Sequence, residues 1–313
     1  MIVRQFDPAF AGPRVSVLIG LVSTEDCDRI FETLESLSSK QSFYACEVIV
    51  ADRRNDRISA AIADRFPNAY LVRCAPDTTL PELRTIALER STGDIVAVME
   101  DHCVPAEDWL KEIDIAFTEA PPGTVAVGGC VENAVRNSGL DWATFICEYS
   151  FFSPPVEEGE TRVLPGMNVA YRRQALAGVP RYAFTSGFWE TTVHPLLLQH
   201  GGRFFSRNAI KMYHCKKFSL SLFASQRYVY SRYFGGIRFA RNQWLRRWVA
   251  AAASLFLPAV LLSRMWVQAT GAKRLNREFT AAMPTLLLFI VIWSVGEMVG
   301  YLFGSGDALA KIE

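Results

Sequence analysis

None of the seven cysteines, at positions 27, 46, 74, 103, 130, 147 and 215, forms a CxxC pair or a recognised metal spacing. Zinc ribbons and dithiol redox centres are thereby excluded. Thiols in or beside apolar runs fit buried, free cysteines of a reducing compartment. There is no GxGxxG and no GxxxxGK[ST]. Gly20 stands alone after the first apolar run, so neither a dinucleotide fingerprint nor a P-loop is supported. Charge of one sign is not in excess: 33 Lys and Arg against 32 Asp and Glu leave +1. That balance does not suggest a nucleic-acid binder. The first 13 residues carry Arg4, Asp7 and two prolines but no apolar core of a secretory leader. The N-terminal domain is therefore expected on the cytoplasmic side.

What is present is an alternation of apolar runs and amphipathic stretches. Residues 15–20, 47–51, 69–73 and 95–99 read as short strands. Between them lie three helical faces. Ile30, Phe31, Leu34 and Leu37 form the first, capped by Ser23 or Thr24. Ile58, Ile62 and Phe66 form the second, and Leu83, Ile86, Ala87 and Arg90 the third. Short-spaced alternation implies an α/β fold with a Rossmann-like, mostly parallel sheet flanked by helices.

The organising stretch is residues 93–110. Ile95 to Met99 reads as a strand buried on both faces. Glu100, Asp101 and His102 follow at its C-terminal end, where open α/β sheets bind their ligands. Pro105 then reads as the opening of a helix whose apolar face is Trp109, Leu110, Ile113 and Phe117. Carboxylate oxygen beside imidazole nitrogen suits a divalent ion such as Mg²⁺ or Mn²⁺. A solvated strand-to-loop turn with incidental acids is the alternative.

Beyond this the pattern loosens. Residues 124–131 read as a strand containing Gly128 and Gly129, and residues 150–161 as a loop. Residues 164–173 read as turn, strand and helix start. Gly187-Phe-Trp-Glu190 leads into a helix ended by Gly201 and Gly202, and residues 203–214 return as extended chain. Next, Arg232, Arg238, Arg241, Arg246 and Arg247 alternate with Tyr228, Tyr230, Tyr233, Phe234, Phe239 and Trp244. Such a segment suits lipid headgroup level, or else a solvated basic face. Residues 248–262 are apolar but hold Pro258 and precede Arg264, a length for an interfacial or re-entrant helix. Residues 279–303 are long enough to cross a core of ~30 Å, with Glu297 inside the run. The positive-inside rule puts Lys273, Arg274 and Arg277 on the same side as the preceding arginines. That favours a re-entrant first segment over a spanning hairpin. The expected organisation is a domain over 1–235 and C-terminal membrane helices over 236–313.

Four pieces come in the order and at the spacing of one family. They are Glu47-Val-Ile-Val-Ala-Asp52, Leu83-Arg84 on a helix, Gly93-Asp-Ile-Val-Ala-Val-Met-Glu-Asp-His102, and Gly187-Phe-Trp-Glu190 with Gly201 downstream. Residues 14–235 resemble the family 2 glycosyltransferases. The resemblance implies an A-type nucleotide-sugar fold, a divalent metal (Mn²⁺ or Mg²⁺) and an inverting mechanism. It implies that Asp52 recognises the base, that Arg84 lies near the nucleotide, and that Glu100 and Asp101 serve the donor. Asp101 would face the ribose or the metal. His102 takes a metal-ligand place, and His214 falls where some members carry a second metal-contacting histidine. Glu190 falls at the catalytic base, although the usual Glu-Asp pair reads Trp-Glu or Glu-Thr here. Two departures touch the nucleotide pocket. Gly-Leu-Val-Ser-Thr-Glu follows the first strand in place of the usual Pro and Tyr-Asn, and Arg53-Arg54 replaces Asp-Gly.

The residues fit that chemistry in their own right. A leaving diphosphate develops charge that a divalent ion can neutralise. An acceptor hydroxyl needs a carboxylate to take its proton. Glu190, between Trp189 and an apolar helix, is placed for partial desolvation, though a helix-N-terminal Glu also favours the macrodipole. His102 and His214 are equally readable as structural imidazoles. The expectation is a membrane-associated, metal-dependent transferase acting from the cytoplasmic face. Its partners would be a nucleotide-sugar, a glycan or lipid-linked acceptor and the membrane, with no nucleic acid. One rival is a nucleotidyltransferase, which needs a basic pyrophosphate loop that residues 21–26 do not supply. The other is a non-catalytic membrane-tethered binder or scaffold, permitted by the altered residues at 20–26, 53–54 and 190–191.

Overall fold

The computed structural model describes residues 15–40, 46–271 and 275–313. Lys273 and Arg274 of the basic linker lie outside the described residues. The chain divides into two compact units, Met1–Ala134 with Pro154–Lys216, and Val135–Ser153 with Lys217–Glu313.

In the first unit, β1 (Val15–Leu21) is buried along its whole length. A strand can be so only with partners at both edges and cover on both faces. It pairs in parallel with β2 (Cys46–Asp52) and with β4 (Ile95–Glu100). Helix α1 (Arg29–Glu35) follows β1, α2 (Arg57–Arg65) follows β2, and β3 (Ala69–Arg73) adds a parallel edge. Helix α3 (Leu80–Arg90) starts with a Thr79–Glu82 capping box and Pro81 in its first turn.

After β4 the direction changes. β5 (Cys103–Pro105) precedes α4 (Trp109–Glu119) and β6 (Thr124–Asn133). β7 (Gly159–Thr161), β8 (Val169–Arg172), α6 (Arg173–Ala177), α7 (Arg181–Thr185), α8 (Trp189–Gln199) and β9 (Arg203–His214) complete the unit. The sheet runs β3-β2-β1-β4-β8-β6-β9-β5, with β7 on β9. β3, β2, β1 and β4 are parallel, and β8 enters antiparallel to both β4 and β6. The α/β class with helices flanking a Rossmann-like sheet is therefore as expected.

Two local expectations are corrected. Pro105 does not open a helix. It ends β5, which pairs antiparallel with β9, and α4 begins at Trp109. The partner strand lies more than a hundred residues away, beyond the reach of local pattern. Ser23 does not cap α1 either: that helix begins at Arg29 behind Asp28, and the Ser23 hydroxyl is engaged by Asp101.

The second unit is helical: α5 (Gly139–Tyr149), α9 (Leu220–Ile237), α10 (Trp244–Ala253), α11 (Leu257–Thr270) and α12 (Asn276–Phe303). Phe223, Phe279, Leu286, Phe289 and Ile290 form its core with Ala143 and Ile146 of α5. Helices α9 and α12 approach backbone to backbone. A Cβ on Gly296 would stand 2.7 Å from the Tyr228 carbonyl, and one on Gly300 would overlap the Arg232 carbonyl. Small residues at such a seam let two helix backbones approach closely. The 235/236 division expected from sequence falls inside α9, at Gly235 and Gly236 of that seam.

The first apolar segment is longer than the short re-entrant helix expected. Trp244–Thr270 is a helical run of 27 residues, and Asn276–Phe303 has 28; both are long and apolar enough to cross a membrane. Their outward faces are apolar too, with Trp248, Val249, Leu255, Phe256, Val260, Leu287, Leu288 and Val291 exposed. A water-facing helix carries polar residues there.

Candidate active site

Gly20 and Glu100 are register partners on β1 and β4. The residues that follow each strand therefore meet at the C-terminal edge of the sheet. Asp101, 2% exposed, is the centre of that meeting. Its Oδ2 accepts from the backbone N–H of Val22 and of Ser23, each at 2.8 Å. Its Oδ1 accepts from the Ser23 hydroxyl at 2.6 Å and lies 2.8 Å from His102 Nδ1. Lys216 Nζ donates to Ser23 Oγ at 3.1 Å. Burial raises the Asp101 pKa, but the His102 hydrogen bond and the His102 and Lys216 charges outweigh it and hold the carboxyl well below its ordinary range. Both oxygens are thus committed to the protein.

A carboxylate can only accept, so His102 Nδ1 carries a proton and Nε2 is the nitrogen left to act. Nε2 lies 3.4 Å from Glu100 Oε2. Burial disfavours the His102 cation, but hydrogen bonds to Asp101 and Glu100 raise its pKa to about 8. Burial likewise opposes Glu100 ionisation, and His102 with Arg84 brings that carboxyl down to about 2. Arg84, on α3 and 2% exposed, holds Nη2 3.8 Å from Glu100 Oε1. His214, at the end of β9, faces Cys103 across the ladder, its ring centre 5.0 Å from that of His102. Burial and the His102 charge push His214 down to about 3, so it is a neutral imidazole.

Asp52 closes β2 and is fully buried. Its Oδ1 accepts from Arg54 N at 2.8 Å and Asn55 N at 3.3 Å, while Oδ2 has no partner among the described residues. Glu190 lies in the first turn of α8. Its Oε2 is also buried without a hydrogen-bond partner among the described residues. A Cβ on Gly166 would stand 2.5 Å from that oxygen, so the carboxylate rests against bare backbone. Burial raises the Glu190 pKa, opposed by Arg84 and reinforced by Glu100. Arg84 thus acts on both acids, and Glu190, Arg84 and Glu100 share one electrostatic neighbourhood.

All seven residues singled out in the sequence are placed at or beside this edge of the sheet. What differs is the job that geometry leaves to Asp101, whose oxygens point into the protein. Sequence reading missed Ser23, Lys216 and Gly166, and also Tyr171, whose hydroxyl meets His194 Nε2 at 2.6 Å beneath Trp189. Pro165-Gly166 was legible only as a turn, and Lys216 lies two residues past His214 with no motif of its own.

Glu100 and His102 present one carboxylate oxygen and one imidazole nitrogen to the same space. That donor set fits a divalent ion. Asp101 stands behind His102 as an orienting carboxylate, the usual support for a ligating imidazole.

Comparison with known proteins gives a consistent picture. The family model "Glycosyl transferase family 2" matches residues 22–184. A curated relative, the glucosyl-dolichyl phosphate glucuronosyltransferase of Haloferax volcanii, is 26% identical over 183 residues, 56% of this chain. The chain spans 57% of that relative's length. Among solved structures, the mannosyltransferase PcManGT from Pyrobaculum calidifontis, in complex with GDP-Man and Mn²⁺, superposes with a TM-score of 0.54 at 18% identity. That match covers 94% of this chain and 88% of the other. GalNAc-T7 with UDP, GalNAc and Mn²⁺ gives 0.52 at 13% identity, covering 67% of this chain and 45% of the other. These likenesses establish the A-type fold.

Proposed function

Because the chain belongs to glycosyl transferase family 2, we propose that it moves a sugar from a nucleotide-sugar to a hydroxyl acceptor with inversion, and that Glu190 is the base. The observation that carries this reading is Glu190 Oε2, a buried carboxylate oxygen without a hydrogen-bond partner among the described residues, on a group whose proton affinity is raised. A structural carboxylate would be paired. One that must take a proton from an acceptor needs a raised pKa and a free oxygen. A non-catalytic binder has no use for either.

The donor side is built by other residues. Asp52 Oδ2 accepts from the base. Arg84 draws the diphosphate toward Glu100 while its charge tempers Glu190. Glu100 and His102 hold the ion, with His214 beside them, and Asp101 fixes the His102 tautomer and the loop after β1. The ligand role expected for Asp101 becomes a supporting one. When bound, the ion supplies Lewis-acid neutralisation of the leaving diphosphate. Residues 1–235 would carry the catalytic function. The apolar hairpin, and a relative named for a dolichyl phosphate substrate, support a lipid-linked acceptor at the cytoplasmic membrane face.

The test is transfer from a panel of nucleotide-sugars in membranes, with Mn²⁺, Mg²⁺ or chelator. Donor binding without metal-dependent turnover on any donor would leave the scaffold reading standing.

A further inference from the structure

We propose that the thiolate of Cys103 is a third protein ligand of the divalent ion, so that the site binds Zn²⁺ and Co²⁺ more tightly than Mg²⁺. The inference takes from the family 2 reading only that an ion binds at Glu100 and His102; the ligand assignment rests on this chain's own atoms. Glu100, His102 and Cys103 bring ligand atoms within 4.8 Å of one another. His102 Nε2 lies 3.4 Å from Glu100 Oε2, and Cys103 Sγ lies 3.8 Å from the same oxygen. A tetrahedral ion with bonds of about 2.0 Å to nitrogen, 2.1 Å to oxygen and 2.3 Å to sulfur sets its ligand atoms roughly 3.3–3.6 Å apart. These two separations agree to within a few tenths of an ångström; the third, between the His102 and Cys103 ligand atoms, is within 4.8 Å and closes on the ion by side-chain rotation.

The fold explains how the sulfur comes to be there. β4 ends at Glu100, the chain turns at Asp101 and His102, and β5 begins at Cys103. The turn is pinned at both ends, by the four contacts to Asp101 and by Cys215 N donating to His102 O at 3.1 Å. Cys103 is fully buried. Without an ion, burial and the Glu100 charge hold its thiol protonated. Coordination reverses this: the S–H bond breaks, the S–metal bond forms, and the proton passes to buffer with no change of oxidation state. Sulfur is the softest ligand here, which shifts preference from Mg²⁺ toward Zn²⁺ and Co²⁺. Three protein ligands also leave one tetrahedral position open, as a working metal site requires.

The experiment is to load the full-length protein in detergent with Co²⁺, alone and with a nucleoside diphosphate, and record its absorption spectrum. Expected is a near-ultraviolet sulfur-to-cobalt charge-transfer band that is lost in Cys103→Ser and in Cys103→Ala and kept in Cys215→Ser. Calorimetry should show Zn²⁺ affinity at least about tenfold weaker in Cys103→Ser, since loss of even a supporting residue costs that much. Circular dichroism checks that the variants fold. Co²⁺ bound to the wild type without the band overturns the thiolate assignment with no variant needed, as does a band that survives Cys103→Ser. No divalent ion bound under either condition overturns the metal reading itself, and this assignment with it.

Discussion

Replacing Asp101 with alanine tests whether that residue shapes the site or binds the donor. The substitution leaves two buried backbone N–H groups, the Ser23 hydroxyl and His102 Nδ1 without their Asp101 acceptor, and removes a negative charge that interacts with Lys216. Removing one partner of a buried, hydrogen-bonded charge pair costs about 3–5 kcal/mol. Each stranded donor is worth about 1–3 kcal/mol more before water or relaxation recovers part of it. A net loss of about 4 kcal/mol is expected, a fall in Tm of roughly 8–16 °C for a domain of this class. The assay is thermal unfolding of metal-free protein in detergent, followed across pH. The folded pKa of Asp101 is depressed, so its contribution is present above the ordinary carboxylate range and lost as pH falls through the folded value. That of His102 is raised to about 8, so its contribution is full below about 6.5 and lost as pH rises through about 8. The wild type should therefore weaken between those two values, and Asp101→Ala should weaken less there. An Asp101→Ala protein that melts within about 2 °C of wild type yet no longer binds nucleotide would refute the supporting role.

Glu190→Gln should keep donor affinity within a few-fold and lower kcat by about 10² or more, read by calorimetry beside turnover. In the wild type, kcat/KM should fall on the acid side through a group titrating above the ordinary carboxylate value of 4.5, and a normal acid limb would place the base elsewhere. Gly166→Ala puts a methyl group against Glu190 Oε2, so kcat should drop while donor binding persists; unchanged kcat would show that the carboxylate sits elsewhere during turnover. A chain ended at Arg232 keeps α5 and most of α9 but loses α12, uncovering Ile146 and Phe223. Size-exclusion chromatography should find it aggregated, and a monodisperse product would deny that α9 and α12 form one unit. Full-length protein should stay with membranes in high salt, which screens basic attachment but not apolar burial; release by salt alone would contradict a spanning hairpin.

The first four strands were legible because each is a short apolar run between turn residues; β1 and β4 are buried along nearly their whole length, while β3 at the sheet edge stays partly exposed. Asp52 and Glu100 were legible as acids closing apolar strands, whereas Glu190, which the helix dipole alone would account for, was legible through its place in the family's order of pieces. Ser23 was misread for an instructive reason. A hydroxyl before an amphipathic helix is a good cap, and only the long-range arrival of Asp101 gives it a stronger acceptor. Pro105 misled in the same way, since its strand exists only because β9 returns to it. The helical unit takes Val135–Ser153 from the middle of the chain, and no composition shift marks that segment. The seam of Gly235, Gly236, Gly296 and Gly300 spans two helices, so neither sequence stretch reveals it alone.

The bonds that shape the metal-facing edge join stretches of chain made far apart in time. Val22 meets Asp101 across 79 residues, and Ser23 meets Lys216 across 193. At roughly 5–20 residues per second, the loop after β1 waits about 10–40 s between its own synthesis and that of Lys216. For part of that interval, the roughly 4–14 s between completion of β4 and of β8, β4 has no partner along its free edge, an open template for pairing with other chains. The nascent chain thus passes through a stage that holds the sheet's parallel half and lacks its finished ion site. Chaperone supply and translation speed should therefore bear on how much active protein a cell recovers.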